Sequence, residues 1–343
     1  METHLDVISR LNADLDRILM PFISTEPFSL LDFPDYPNVG DSAIWLGEVS
    51  YFAKHNVIPS YVSRRTYVDW RSLAKRTGLE GTIFLSGGGN FGDLWCDDWP
   101  NCQAFREAVI TEFPNRKIVQ LPQTIFYRSQ RNADRTARVI EAHNDFTLLV
   151  RDHPSFDFAS QRFQCKVLMC PDMALALGPL HRRASVNKDV LLLLRSDKES
   201  AGCLAESRNK PWQGADTADW IRDRPLTSAH AKMNTLFVHG AQFLRQQVKR
   251  EDLVLRYYNQ IAEARLNRGL RLLSRYRRVV SDRLHGHILS TLLGIPHVVI
   301  DNNYGKIRSF VDAWSTQWDG VRQGRDVWEE VVRSAQELGS ERR

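Results

Sequence analysis

The chain has too few cysteines, and too short an apolar run, for several whole classes of protein. Its five cysteines (Cys96, Cys102, Cys165, Cys170 and Cys203) form no CxxC pair and have no histidines at matching spacing. Neither a zinc site nor a disulfide framework is expected, and no metal is assigned. Such usage fits a reducing, cytoplasmic setting. The apolar run from Ile288 to Ile300 covers thirteen residues, whereas a membrane span needs roughly 18 or more. Asp6, Asp14 and Asp16 interrupt the N-terminal apolar residues, which excludes a signal peptide there. Glycine (19) and proline (14) are at ordinary levels among 343 residues, and no repeat or low-complexity tract occurs. Disordered, collagenous and coiled-coil classes are excluded.

The rest is an ordinary globular composition, 43% hydrophobic and 25% charged. That is enough for roughly two domains of 100–200 residues. The net charge is +5, and its excess is concentrated in one place. Arg265, Arg268, Arg271, Arg275, Arg277, Arg278 and Arg283 stand within twenty residues of one another against the single acid Asp282. This predicts an anionic ligand or surface rather than a nucleic-acid-coating protein. The run itself reads as a solvated helix face, with anionic lipid as the functional rival.

The N-terminal segment predicts an amphipathic helix with Leu5, Ile8, Leu11, Leu15 and Ile18 on one face. Beyond it, short β-rich runs (Thr82–Ser86, Lys117–Gln120, Thr147–Val150, Val167–Cys170) alternate with helical stretches near Asp41–Lys54, Asn101–Phe113, Asn132–His143 and His153–Arg162. Strands alternating with helices predict a parallel sheet covered on both faces. The pattern restarts at Asp189–Leu194 after a polar connection, then continues as a long helix ending near Tyr276. A βαβ unit closes it: Arg278–Ser281, Leu284–Leu293 and His297–Ile300. The fold class is therefore α/β, with two halves, residues 1–182 and 183–343, facing a cleft at the carboxyl ends of their strands.

Several segments carry chemistry. Asn38-Val39-Gly40-Asp41-Ser42 precedes a helix, with Asp41 or Ser42 expected as its cap; the alternative is that Asn38 and free amides line a substrate site. Ser86-Gly87-Gly88-Gly89-Asn90-Phe91-Gly92-Asp93 follows a strand and matches no nucleotide fingerprint. A tight, ligand-facing glycine loop is expected. Ser281-Asp282-Arg283-Leu284-His285-Gly286 lies at a strand end and helix start, where amides and dipole favour anions. Arg283 adds a planar fork, and His285 exchanges a proton near neutral pH. A bland alternative has Arg283 pairing with Asp282 and His285 capping the helix. Arg195 and Lys306 end neighbouring strands, so three cations converge.

In order along the chain, PNVGDSAI (37–44), LSGGGNFGDLW (85–95), QLPQTI (120–125), VRDHPS (150–155), PDMAL (171–175), LLRSDKE (193–199) and SDRLHGHILSTLLGIPHVVIDNNYGK (281–306) resemble the polysaccharide pyruvyl transferases. The resemblance implies a GT-B-like fold of two Rossmann-like domains, with the acceptor on the first half and phosphoenolpyruvate on the second. It implies donor binding by Arg195 and by the Arg283-Leu284-His285 segment with Gly286, and Lys306 is added from its strand end. Acceptor-side residues would be Asn38, Gly40, Asp41, Gly88, Gly89 and Asn90. The implied reaction moves pyruvate from phosphoenolpyruvate onto two hydroxyls of a sugar in a cell-surface or exported polysaccharide, or in its lipid-linked precursor. His285 would be the acid and Asp41 or Asp93 the base. No cofactor is needed beyond that co-substrate, and the expected setting is cytoplasmic, with peripheral contact at the inner membrane face.

Two other classes remain open at this point. A GT-B glycosyltransferase would need a ribose-binding acid, a part Glu199 could take. A glycan- or nucleic-acid-binding protein would use the arginine run, which lacks the interleaved aromatics of such surfaces. No nucleic-acid partner is expected.

Overall fold

The computed structural model describes residues 2–96, 101–197, 215–221, 251–301, 305–315 and 318–341. Its first half runs α1 (His4–Leu19), β1 (Ser29–Leu31), α2 (Val39–Lys54), β2 (Tyr61–Ser63), α3 (Trp70–Thr77), β3 (Ile83–Leu85), β4 (Gly88–Gly92), α4 (Cys102–Glu112), β5 (Ile118–Phe126), α5 (Gln130–Glu141), β6 (Phe146–Val150), α6 (His153–Arg162) and β7 (Lys166–Met169). These strands form a parallel sheet in the order β2-β1-β3-β5-β6-β7, with β4 beside β5. A 3-10 turn, Met173–Leu177, leads toward the second half. There β8 (Lys188–Leu193), β9 (Ala215–Ala218), α7 (Glu251–Ser274), β10 (Tyr276–Ser281), α8 (Leu284–Leu292), β11 (His297–Ile300), α9 (Lys306–Trp314), β12 (Val321–Gly324) and α10 (Val327–Glu341) follow. The second sheet is parallel, in the order β12-β11-β10-β8-β9. Two parallel sheets give the α/β, GT-B-like arrangement. Strands covered on both faces read as continuous apolar runs, as in the buried Val190–Leu194. Among the described residues no helix is long and apolar enough to cross a membrane.

The halves are stitched together by helices that cross between them. The capped α1 buries Val7, Ile8, Leu11, Leu15, Ile18 and Leu19 and packs on the 173–177 turn and on α8. Leu5, expected on that apolar face, is instead 49% exposed, because at about 100° per residue it falls well round the helix from the stripe centred on Val7, Leu11, Leu15 and Ile18. From the second half, α7 packs on α2. Tyr258 stacks on Phe33 with centroids 4.2 Å apart, and Trp45 Nε1 donates to Asn259 at 2.9 Å.

The arginine run is only in part the solvated face that its charge suggested. Arg265 is 2% exposed and donates to Pro34 O at 3.1 Å. Arg268 donates to Pro37 O at 2.9 Å and to Trp220 O at 2.7 Å. Their guanidinium groups meet carbonyls of the 34–37 loop, which the α2–α7 packing carries over that face. Arg271, Arg275 and Arg277 do face solvent.

Candidate active site

A cavity of about 520 Å³ lies between the halves, beyond the carboxyl ends of both sheets. Its second-half wall includes Arg195, Asp197, Trp220, Arg283, Leu284 and His285. The β8–β10 pairing sets Leu193 beside Ser281, so Arg195 and Arg283 leave adjacent strand ends. Arg283 is 3% exposed. Its Nη2 donates to Asp219 at 2.8 Å and to Asp197 at 3.3 Å. Arg195 holds Asp197 through Nε and Nη2 at 2.9 and 3.0 Å. The alternative pairing with Asp282 does not form: Asp282 Oδ1 accepts from the Arg195 backbone amide at 2.7 Å. Burial raises that carboxyl to about 6. The Lys306 side chain, Lys198 and Glu199 lie outside the described residues.

His285 stands in the first turn of α8, beside Arg283. Its Nε2 is buried without a hydrogen-bond partner and lies 3.5 Å from Asp172 Oδ2. Asp172 also pairs with Arg151 and accepts from the Ala174 amide at 2.8 Å. Burial pushes the Asp172 carboxyl up, but His285 and Arg151 outweigh it and hold it well below the usual range. Arg151 follows directly on β6, and Asp172 lies just beyond β7. Both residues lie in motifs that resemble the family, VRDHPS and PDMAL, but nothing within those motifs marks either one. The rule that ligands gather at carboxyl ends of parallel strands was the available signal. Gly286 does not line the cavity; a Cβ there would overlap the Ser281 hydroxyl.

On the opposite wall the helix cap is Asn38, not Asp41 or Ser42. Asn38 Oδ1 accepts from the Gly40 amide at 3.0 Å, so α2 starts earlier than expected and Asp41 falls within its first turn. That leaves the Asp41 carboxylate for the cavity, where Asn38 Nδ2 donates to it at 2.6 Å. Burial raises the Asp41 pKa against the opposing pull of His285, Arg151 and the Tyr36 hydroxyl. Gly40 lies against His285.

The glycine segment also differs from the expected loop, because residues 88–92 form strand β4 against β5. Gly92, at φ +119°, has no room for a side chain against the Phe126 carbonyl. Gly89 and Asn90 line the cavity, whereas Gly88 sits behind Asp41. Beneath them buried Glu48 accepts from the Gly87 amide at 2.7 Å and from Ser86 Oγ at 2.9 Å, and burial raises its pKa to about 8. Asp93 stands away from the cavity. Its carboxylate accepts from the Arg128 and Ser129 amides and from Asn132 Nδ2. It fastens the start of α5.

The site thus sets two arginine forks and a histidine against the half-buried Asp41 carboxylate across one cavity. Residues 38–304 match the family model for polysaccharide pyruvyl transferase. The chain belongs to the polysaccharide pyruvyl transferase family. Among curated relatives of this pyruvyl transferase family member, Pyruvyl transferase 1 of Schizosaccharomyces pombe is 30% identical, over 85% of this chain and 71% of its own. The provisionally named pyruvyl transferase EpsO of Bacillus subtilis is 31% identical, over 82% of this chain and 84% of its own. The fold is shared with a solved structure of a functionally uncharacterised protein from Klebsiella pneumoniae, at TM-score 0.60 and 18% identity. That match covers 92% of this chain and 99% of the other.

Proposed function

We propose that this member of the polysaccharide pyruvyl transferase family transfers pyruvate from phosphoenolpyruvate to two hydroxyls of a sugar, forming a ketal and releasing phosphate. The observation that carries this reading is the pair of guanidinium forks, Arg195 and Arg283, beside His285 at one end of the cavity. A donor with a phosphate and a carboxylate needs two planar anion holders, and arginine supplies them bidentately. The reaction then needs a proton on the methylene carbon as a sugar oxygen bonds to the central carbon. A second hydroxyl displaces phosphate from that carbon, and its proton leaves with the phosphate.

In this scheme His285 gives the proton, since it adjoins Arg283, and Asp172 with Arg151 fixes the imidazole from behind. Asp41 takes the hydroxyl proton. Its burial strengthens it as a base, and it lies on the wall opposite the forks. Asp93 is not used, being fully engaged at α5. The aromatic rings of Tyr36, Trp95 and Trp220 in the same cavity suit the apolar face of a pyranose.

The test is incubation with phosphoenolpyruvate and a panel of glycans, free and lipid-linked, with mass spectrometry for the added pyruvate. Calorimetry should show binding of phosphoenolpyruvate, weakened by about 1.5–3 kcal/mol in Arg195→Ala and in Arg283→Ala. Binding of a nucleotide sugar instead of phosphoenolpyruvate would overturn the donor assignment.

A further inference from the structure

The two arginine forks already hold an anion, and it belongs to the chain. Asp197 accepts from Arg195 Nε at 2.9 Å and Nη2 at 3.0 Å, the side-by-side geometry in which arginine binds a carboxylate or phosphate ligand. Its Oδ2 also accepts from Arg283 Nη2 at 3.3 Å. Asp219, the second carboxylate on Arg283, is held differently. It accepts from the Ser196 amide at 2.9 Å, the Ser196 hydroxyl at 2.7 Å and the Trp220 amide at 2.7 Å. Asp219 cannot leave Arg283 without breaking the turn that ends β8. Asp197, unlike Asp219, lines the cavity itself, so an incoming anion meets its carboxylate there.

We propose that Asp197 is a displaceable internal anion that determines which ligands the donor seat accepts. Its carboxylate occupies the Arg195 and Arg283 forks when the seat is empty, yields them to an incoming phosphate or carboxylate, and returns as phosphate departs. A ligand with one anionic group only replaces one carboxylate by another and gains little. A ligand carrying phosphate and carboxylate together brings more charge than it displaces. Asp197 thereby disfavours inorganic phosphate in the seat and hastens its loss as a product. The identity of the donor rests on the pyruvyl-transfer reading, whereas the exchange itself does not.

Inorganic phosphate is the probe, titrated by calorimetry into the parent chain, Asp197→Asn and Asp219→Asn. Removing one like charge beside the seat should tighten phosphate about tenfold in Asp197→Asn. Asp219→Asn, which loosens Arg283, should weaken it. Phosphate binding unchanged or weaker in Asp197→Asn would overturn the proposal and make Asp197 a positioning residue. Asp197→Ser, with melting temperatures for all variants, covers a loss of folding in the first. Phosphoenolpyruvate titrated in parallel separates the two readings. If it fails to bind while phosphate tightens in Asp197→Asn, the donor assignment falls and the exchange stands. If it binds and phosphate does not tighten, the reverse holds.

Discussion

The imidazole of His285 rests against the backbone of Gly40, so closely that a methyl group at residue 40 would overlap its Cβ, Cγ and Nδ1. The N-terminal turns of α2 and α8, from opposite halves, meet at this contact. Asp41 follows Gly40, so the contact also sets the spacing between the proposed base and the proposed acid. Gly40→Ala is expected to displace His285 and lower kcat about 10²-fold, as misplacement by about 1 Å does. Steady-state kinetics on folded protein check it, and a full-rate variant would contradict the contact.

His285→Gln is expected to keep donor binding within a few-fold, because both arginine forks remain. Turnover should fall about 10²–10⁴-fold, the share of a general acid. Calorimetry and single-turnover rates on the same preparation separate an acid from a phosphate holder, which would lose both together.

Asp172→Asn removes a charge between Arg151 and His285, leaving the Arg151 guanidinium buried at 4% exposure without its carboxylate. Breaking a buried pair in this way costs about 3–5 kcal/mol. Urea unfolding measures that loss. Turnover should fall as well, since the imidazole loses its fixed neighbour.

Arg265→Ala and Arg268→Ala are expected to free the Pro34–Asn38 loop, which α7 holds by backbone carbonyls. Each should cost about 1–3 kcal/mol for the stranded partners. In Arg265→Ala acceptor KM should rise while donor affinity stays as in the parent, because Arg195 and Arg283 are untouched; Arg268→Ala also frees the Trp220 carbonyl beside Asp219 and should weaken the donor as well. A rise confined to the donor would refute this division.

Stability in acid should depend on a buried histidine pair behind the site. His287 Nδ1 lies 2.7 Å from His297 Nε2, and His287 Nε2 lies 3.0 Å from Ser315 Oγ. Burial lowers both, His297 to about 4. Unfolded histidine takes up protons below about pH 6.5, and the folded pair does not until well below that. Stability should therefore fall as pH drops from 6.5 toward 4, by about 3 kcal/mol for His297. Buried Glu48, raised to about 8, acts in the opposite sense over pH 4.5–8. The difference between the parent and His297→Asn isolates the histidine, and identical slopes would sink the assignment.

Local chain rules make part of this protein legible without a structure. Apolar runs such as Val190–Leu194, with helical stretches between them, require parallel strands covered on both faces. Strand-then-helix junctions place Arg195, Arg283 and His285 at one edge, and motif order along the chain points to the family. Each of these depends on residues adjacent in sequence, where backbone geometry leaves few choices. What surrounds those residues was decided by contacts across long separations. Arg151 and Asp172 back His285 from another sheet, and Asp219 reaches Arg283 across 64 residues. The arginines of α7 look like a solvated face because charge spacing along a helix says nothing of what lies opposite. Tertiary packing brought the carbonyls of Pro34 and Pro37 there, and a guanidinium group is satisfied by carbonyl oxygens as well as by water.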